Sequence, residues 1–206
     1  MSLARSILVL SSALSLLACD VESLDGMDST EARAAVESDL VHLREEEKLA
    51  RDVYLTLHEA WGNNVFVNIA QSEQSHMDAV KGLLDRYGLE DPIGDDEIGV
   101  FEDEELQGLF DDLVAQGLQS ELEALQVGAT IEDLDIFDIR KMRARSNDAA
   151  VLEVYDSLEC GSNNHIRSFT DQLDALDFAY EVQFIAPVDY EAILADGHES
   201  CGNGRG

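Results

Sequence analysis

The sequence predicts an all-α protein: a four-helix bundle with a long crossover between the second and third bundle helices and an extra short helix. Three observations carry that prediction. Apolar residues recur at three- and four-residue spacing through four long segments, the period of an amphipathic helix. Only two prolines, Pro92 and Pro187, interrupt the 206 residues, so long helices stay unbroken. The second and third long segments are separated by an irregular stretch carrying Pro92, Gly94 and Gly99, whereas the other joins are short turns.

Residues 1–18 read as a lipoprotein signal peptide. Arg5 supplies a positive start, and residues 6–17 form an apolar run too short for an ordinary membrane span. The run ends in Leu16-Leu17-Ala18-Cys19, which resembles the bacterial lipobox. Cys19 would then be lipidated and become the mature N-terminus; the alternative is ordinary secretion with cleavage near Ala18. Residues 19–29 are polar and read as a tether.

Residues 30–176 are expected to form the bundle. Ser29 or Thr30 caps a first helix that runs to about residue 61, with Leu40, Leu43, Glu47, Ala50, Tyr54, Leu57 and Trp61 on one stripe. Glu45 and Glu46 point away from that stripe and are expected to be solvated. Gly62-Asn63-Asn64 stops the helix. A second helix over residues 65–87 presents Phe66, Ile69, Ala70, Glu73, His76 or Met77, Val80 and Leu83 or Leu84. Residues 89–103 are the crossover; one such link is the ferritin-like arrangement rather than a simple up-down-up-down bundle. Residues 104–116 form the short helix, ended by Gly117. The third long helix spans about 118–145, with an irregularity expected at Gly128 and a stripe of Leu122, Leu125, Ala129, Glu132, Ile136 and Ile139, with Asp135 beside it. Ser146 or Asn147 caps a fourth helix to about 176, carrying Val151, Val154, Tyr155, Leu158, Ser162, His165 and Phe169. Residues 177–206 are a C-terminal extension: 178–185 reads as extended, 189–195 as a helical turn, and 197–206 as a flexible end.

Thirteen basic against 44 acidic residues give a net charge of −31, which argues against nucleic acid or an anionic membrane surface as a partner. Most of these acids need no explanation beyond solubility. The informative ones lie inside apolar stripes, because burying a carboxylate costs several kcal/mol unless something pairs with it. Glu73 and His76, three residues apart, leave a helix on one face. That pair is what a di-iron or di-manganese site draws from one helix of a bundle. Glu47, Glu132, Asp135 and His165 add inward-facing ligand types from the other three helices. Two divalent ions shared by four carboxylates and two imidazoles would remove the burial problem of every stripe at once. Singly, Glu132 also reads as a solvated acid, His165 as a satisfied core histidine and Tyr54 as a packed core tyrosine. Cys160 and Cys201 are the remaining cysteines. Export would place them in an oxidising compartment, where a Cys160–Cys201 disulfide pins the tail to the bundle; the alternatives are a buried thiol at Cys160 and a free, reactive one at Cys201.

Glu47-x-x-Ala50-x-x-x-Tyr54 followed by Ala70-x-x-Glu73-x-x-His76 resembles the first half-site of rubrerythrin-type ferritin-like proteins. Across residues 39–173 the text is more similar still to an uncharacterised ferritin-like family, domain of unknown function 2202. The stretches that carry this are residues 43–54, 72–80 and 128–136, and Asn164-His165. The resemblance implies a non-haem dinuclear centre of two iron ions, or of manganese or zinc. Glu47 would be a terminal carboxylate, Glu73 a bridge, Glu132 a second bridge or terminal ligand, and Asp135 an added carboxylate. His76 and His165 would be matching imidazole ligands. One departure stands out: where the fourth helix usually carries Glu three residues before its His, this chain has Ser162.

The implied chemistry is ferroxidase- or peroxidase-like, with dioxygen or peroxide as oxidant and Tyr54 supplying a hydrogen bond or a transient electron. No Cys-x-x-Cys pair is present, so the electron donor would be a separate partner. The alternative is a non-catalytic metal-binding or structural envelope lipoprotein. The membrane would be met only through the N-terminal lipid, and a homodimer is a further expectation. Nucleophilic hydrolysis has little support, since no nucleophile elbow exists.

Overall fold

The computed structural model describes residues 29–201 as six helices: α1 (Ser29–Trp61), α2 (Asn64–Tyr87), α3 (Glu104–Gly117), α4 (Glu121–Arg145), α5 (Ala149–Asp174) and α6 (Pro187–Asp196). The expected leader, the lipobox with Cys19, and the tether as far as residue 28 lie outside the described residues. No described helix is long and apolar enough to cross a membrane.

The four long helices form two antiparallel pairs, α1 with α2 and α4 with α5. Contacts at the two ends of the bundle define how the pairs are joined. Asn63, in the α1–α2 turn, donates to Glu121 at the start of α4 (3.0 Å). Tyr87, at the end of α2, donates to Asp148 just before α5 (2.7 Å). The chain therefore travels the whole bundle length between α2 and α4, and α4 runs parallel to α2. This is the expected crossover, with α3 lying inside it against α1 and α4.

Charged side chains of α1 bind the crossover down. Lys48 donates to Asp52 and to the Glu97 carbonyl (2.7 Å), and its ammonium sits 4.5 Å from the Phe101 ring centre. Arg51 reaches Asp96 (2.6 Å) and Gln74 (2.6 Å), Asp52 accepts from Gly99 N (3.0 Å), and Arg44 forms a two-pronged pair with Asp91 (3.0 and 3.1 Å). One expectation is overturned. Glu45, under the crossover, and Glu46, on the side of α1 toward Asp138 and Lys141 of α4, are not solvated but only 4% and 6% exposed. Glu45 is satisfied there by the backbone N–H groups of Glu102 (2.6 Å) and Asp103 (3.2 Å).

Three local expectations are also corrected. Helix α4 starts at Glu121 rather than 118, because the Ser120 hydroxyl accepts from Glu123 N (3.1 Å) and caps it there. Helix α5 is capped by Asp148, not by Ser146 or Asn147; its carboxylate accepts from Ala150 N (2.8 Å). Gly128 marks no irregularity, since α4 runs through it. A Cβ there would come within 2.4–2.7 Å of the Phe169 ring, so the glycine lets α4 and α5 approach closely.

The C-terminal extension packs onto the bundle. Asp133 of α4 collects Gln183 N (2.6 Å), Ile185 N (2.9 Å) and the Tyr180 hydroxyl (3.0 Å), fixing a segment that forms no strand. Tyr180, Ile185, Tyr190 and Ile193 then join the core. Cys160 and Cys201 form a disulfide.

The core is split in two. One apolar cluster holds Val53, Leu57, Phe66, Ile69, Leu125 and Phe169 among others; a second holds Leu40, Leu43, Val80, Leu84, Ile139, Val151 and Leu158. Every long helix passes from one cluster to the other. The buried polar residues stand at Glu47, at Glu73–His76 and at Ser162–His165 where α1, α2 and α5 cross, and at Glu132–Asp135 just before the crossing of α4, so four helices contribute to one polar layer.

Candidate metal centre

All six side chains expected as ligands are buried in that layer: Glu47, Glu73 and Glu132 are 1–2% exposed, and Asp135, His165 and His76 are 7–8% exposed. Two groups form among them, Glu47–Glu73–His76 and Glu73–Glu132–His165; in each, one ligand atom per residue lies within 4.8 Å of the others. Glu73 belongs to both. Its Oε2 is 2.8 Å from His76 Nδ1, and its Oε1 is 2.8 Å from His165 Nδ1. His76 Nδ1 also meets Glu47 Oε2 (3.2 Å), and His165 Nδ1 meets Glu132 Oε2 (3.3 Å). The two imidazole planes are inclined by 29°, with centroids 5.6 Å apart.

Much of this proximity is not hydrogen bonding. Glu47 Oε1, Glu73 Oε1, Asp135 Oδ1 and His165 Nδ1 are buried without an aligned partner, although Glu73 Oε1 and His165 Nδ1 are close enough for one. Buried polar atoms are nearly always satisfied. Atoms that converge without pointing at each other are aimed at a common third point, which is the arrangement of ligands around a cation. Carboxylate oxygen with imidazole nitrogen is a donor set that suits iron, manganese or zinc.

Proton affinities show the same tension. Burial lowers the readiness of His165 to charge, but Glu73 and Glu132 outweigh it and push its pKa up to about 10. His76 is likewise driven well up by Glu73 and Glu47 against the effect of burial. Glu73 moves the other way: burial favours its neutral form, yet the two imidazoles hold it below the ordinary carboxylate range. Burial raises Glu47 to about 7 and also raises Glu132 and, strongly, Asp135. In this arrangement protons supply positive charge that a bound cation could supply instead.

Asp135 lies in the same nest but outside the two converging groups. Its carboxylate accepts from the Ser162 hydroxyl (2.5 Å), with Leu158 O at 2.9 Å as the other acceptor in that hydroxyl's reach. Tyr54 donates to Glu132 Oε1 (2.5 Å) while its ring packs on Phe169 (centroids 5.3 Å apart), so it both fills core and orients a carboxylate. Burial, then Glu132 and Glu73, drives its pKa well up and keeps the hydroxyl a donor.

Residues 37–197 match the family described as an uncharacterized protein domain, DUF2202. The chain belongs to the DUF2202 family. A relative from Methanocaldococcus jannaschii, "Uncharacterized protein MJ0754", is 48% identical over 160 residues, covering 78% of this chain and 86% of the relative. The crystal structure of hypothetical protein MJ0754 from Methanococcus jannaschii is similar in fold, with TM-score 0.78 and 47% identity over 79% of this chain and 93% of that one.

In this family member, sequence reasoning missed two contributors. Gly161 lies against the ring edge of His76: a Cβ there would stand 2.5 Å from its Nε2. Ser162, read as a missing ligand, is instead the donor that holds Asp135. The signal for both was present in their position, one turn before His165 on the inward stripe.

Proposed function

We propose that this chain is an exported, lipid-tethered, ferritin-like protein that holds a dinuclear non-haem metal centre, most simply di-iron, and performs ferroxidase- or peroxidase-like redox chemistry. The observation that carries this reading is the shared Glu73, with one oxygen facing each imidazole in a layer contributed by four helices. Glu47 and His76 would hold one ion, Glu132 and His165 the other, and Glu73 both. A bound iron pair would supply one-electron redox steps and open positions for dioxygen or peroxide. The chain's own part is positioning: Tyr54 orients Glu132, Ser162 holds Asp135 beside the pair, and the apolar clusters on either side exclude water. Export is supported by the lipobox and by the Cys160–Cys201 disulfide, which suits an oxidising compartment.

A second reading, a metal-binding or structural bundle without turnover, is favoured by one observation: Ser162 holds Asp135 outside both converging groups. The test is to load the metal-free protein anaerobically with ferrous iron, count the bound ions, then add oxygen or peroxide and follow the near-ultraviolet absorbance. Two irons and a rapid new band support the redox reading. Tight zinc with no response to oxidant leaves the second reading, and no bound metal of any kind ends the redox reading and leaves a purely structural bundle.

A further inference from the structure

A cation bound as in the dinuclear reading above, on which the route below rests, must first reach a buried layer. A cavity of about 620 Å³ opens between the N-terminal half of α1 and the C-terminal half of α4, lined by Asp39, His42, Glu45, Asp103, Asp138 and Lys141 among others. An acidic hollow is unremarkable in a chain of charge −31. What sets this one apart is Glu46.

Glu46 has neighbours among the residues that line the hollow and among those of the buried layer. Toward the hollow its Oε2 is 3.9 Å from His42 Nε2, and its carboxyl feels Asp138 and Lys141. Toward the interior it feels its chain neighbour Glu47, and Asp135 in turn feels both Glu47 and Glu46. The side chain is only 8% exposed, yet Oε2 has no hydrogen-bond partner. The crossover, which satisfies Glu45 through two backbone N–H groups, offers Glu46 none. A buried carboxylate oxygen without a donor is a standing cost.

Helix geometry turns these residues into two facing ladders. On α1, His42 and Glu46 are four apart and share a face; on α4, Asp138 and Asp135 are three apart and share another. Each ladder starts at the hollow; one leads to Glu46, the chain neighbour of Glu47, and the other to Asp135 in the buried layer. Lys141 pairs with Asp138 at the rim (3.0 Å), with side-chain exposures of 54% and 19%. That pair is open to water and readily displaced by a doubly charged ion.

We propose that Glu46 is the intake ligand of the metal centre. A divalent cation concentrated in the hollow is taken up by His42 and Asp138, displacing Lys141. It passes to the unpartnered oxygen of Glu46 and is delivered to the Asp135–Glu47 side of the layer. Glu46 is a positioning residue for transit and is not a ligand of the finished centre.

The test follows cobalt uptake by the metal-free full chain, using stopped-flow absorbance for the rate and equilibrium dialysis for the number bound. Glu46→Gln keeps the shape and removes the carboxyl group that would take the cation. The expected result is two cobalt ions at equilibrium, as in the wild type, reached at least about tenfold more slowly, the scale on which electrostatic focusing alters on-rates. Asp138→Asn, on the partly exposed rim, should slow uptake in the same direction and carries the test alone if Glu46→Gln does not fold. A wild-type uptake rate in these variants overturns the intake route while leaving the dinuclear centre standing. Loss of one cobalt at equilibrium in Glu46→Gln overturns it too, by making Glu46 a ligand. A wild-type chain that binds no cobalt overturns both readings.

Discussion

Gly161→Ala offers a direct probe of the imidazole geometry. In a mid-helix position such as this one on α5, alanine is ordinarily favoured over glycine by about 0.5–1 kcal/mol. Here the added Cβ would stand 2.5 Å from His76 Nε2 and 2.6 Å from its Cε1, against an ordinary contact that begins at 3.4 Å. The ring must therefore retreat by about 0.9 Å, the difference between 3.4 and 2.5 Å. That is close to half a metal–nitrogen bond of about 2.1 Å. His76 Nδ1, now 2.8 Å from Glu73 and 3.2 Å from Glu47, would no longer converge with them. His165 Cε1 is 3.8 Å from the new methyl and need not move. The expected outcome is loss of one ion with the other retained. Overpacking by about 1–3 kcal/mol, offset by the gain in helix propensity of about 0.5–1 kcal/mol, should leave the metal-free protein about 0–2.5 kcal/mol less stable. Gly82→Ala and Gly108→Ala are the controls: nothing lies within 4 Å of a Cβ at either, so each should stabilise by about 0.5–1 kcal/mol. Metal analysis after loading, with urea unfolding of the metal-free chains, measures both quantities. A Gly161→Ala chain that holds two ions at wild-type affinity would refute the placement of His76.

Other outcomes are expected. Ser162→Ala removes the donor to a buried carboxyl and should cost about 1–3 kcal/mol in urea unfolding of the metal-free protein; an unchanged midpoint would mean that Asp135 does not depend on that bond. The metal-free fold should lose stability as pH rises. Glu47 keeps its proton to about 7 and His165 to about 10, whereas the unfolded chain releases them near 4.5 and 6.5, so the stabilisation present below those values disappears through pH 7 and then 10. Glu73, held below the ordinary carboxylate range, stays ionised throughout this window and offsets none of the loss. Loading metal at neutral pH should release protons and tighten as pH rises, readable with a pH indicator dye. Cys201→Ser opens a loop of sequence separation 41, worth about 4 kcal/mol in the chain-entropy account; calorimetry should show a lower melting temperature with metal content unchanged.

The helices and the site were legible for the same reason. Glu47, Glu73, Glu132 and His165 each break an apolar stripe, and a polar residue inside such a stripe signals a buried polar layer before any coordinates exist. The crossover was legible from Pro92, Gly94 and Gly99, which no helix of the bundle would tolerate together. What it covers was not. Whether Glu45 meets water depends on where residues 96–103 come to rest, a contact some 57 residues away in the chain, and whether Glu46 does depends on α4, which brings Asp138 and Lys141 to it. Lys48 and Asp52, four apart on α1, were the visible hint that charges on that outer face pair with each other. Gly128 was misjudged because one sequence cannot distinguish a glycine that bends a helix from one that admits a neighbouring ring. Ser162 was read by its chemistry as a poor ligand, which left open its use as a donor to Asp135.

The two ligand groups divide unequally between the halves of the bundle. Glu47, Glu73 and His76 all belong to the α1–α2 hairpin, whereas Glu132 and His165 belong to the α4–α5 hairpin and meet Glu73 across the seam. An ion in the first trio would be a private matter of one hairpin. An ion in the second would rivet the hairpins together, so that its arrival or departure, and not that of its neighbour, sets how far the seam can breathe.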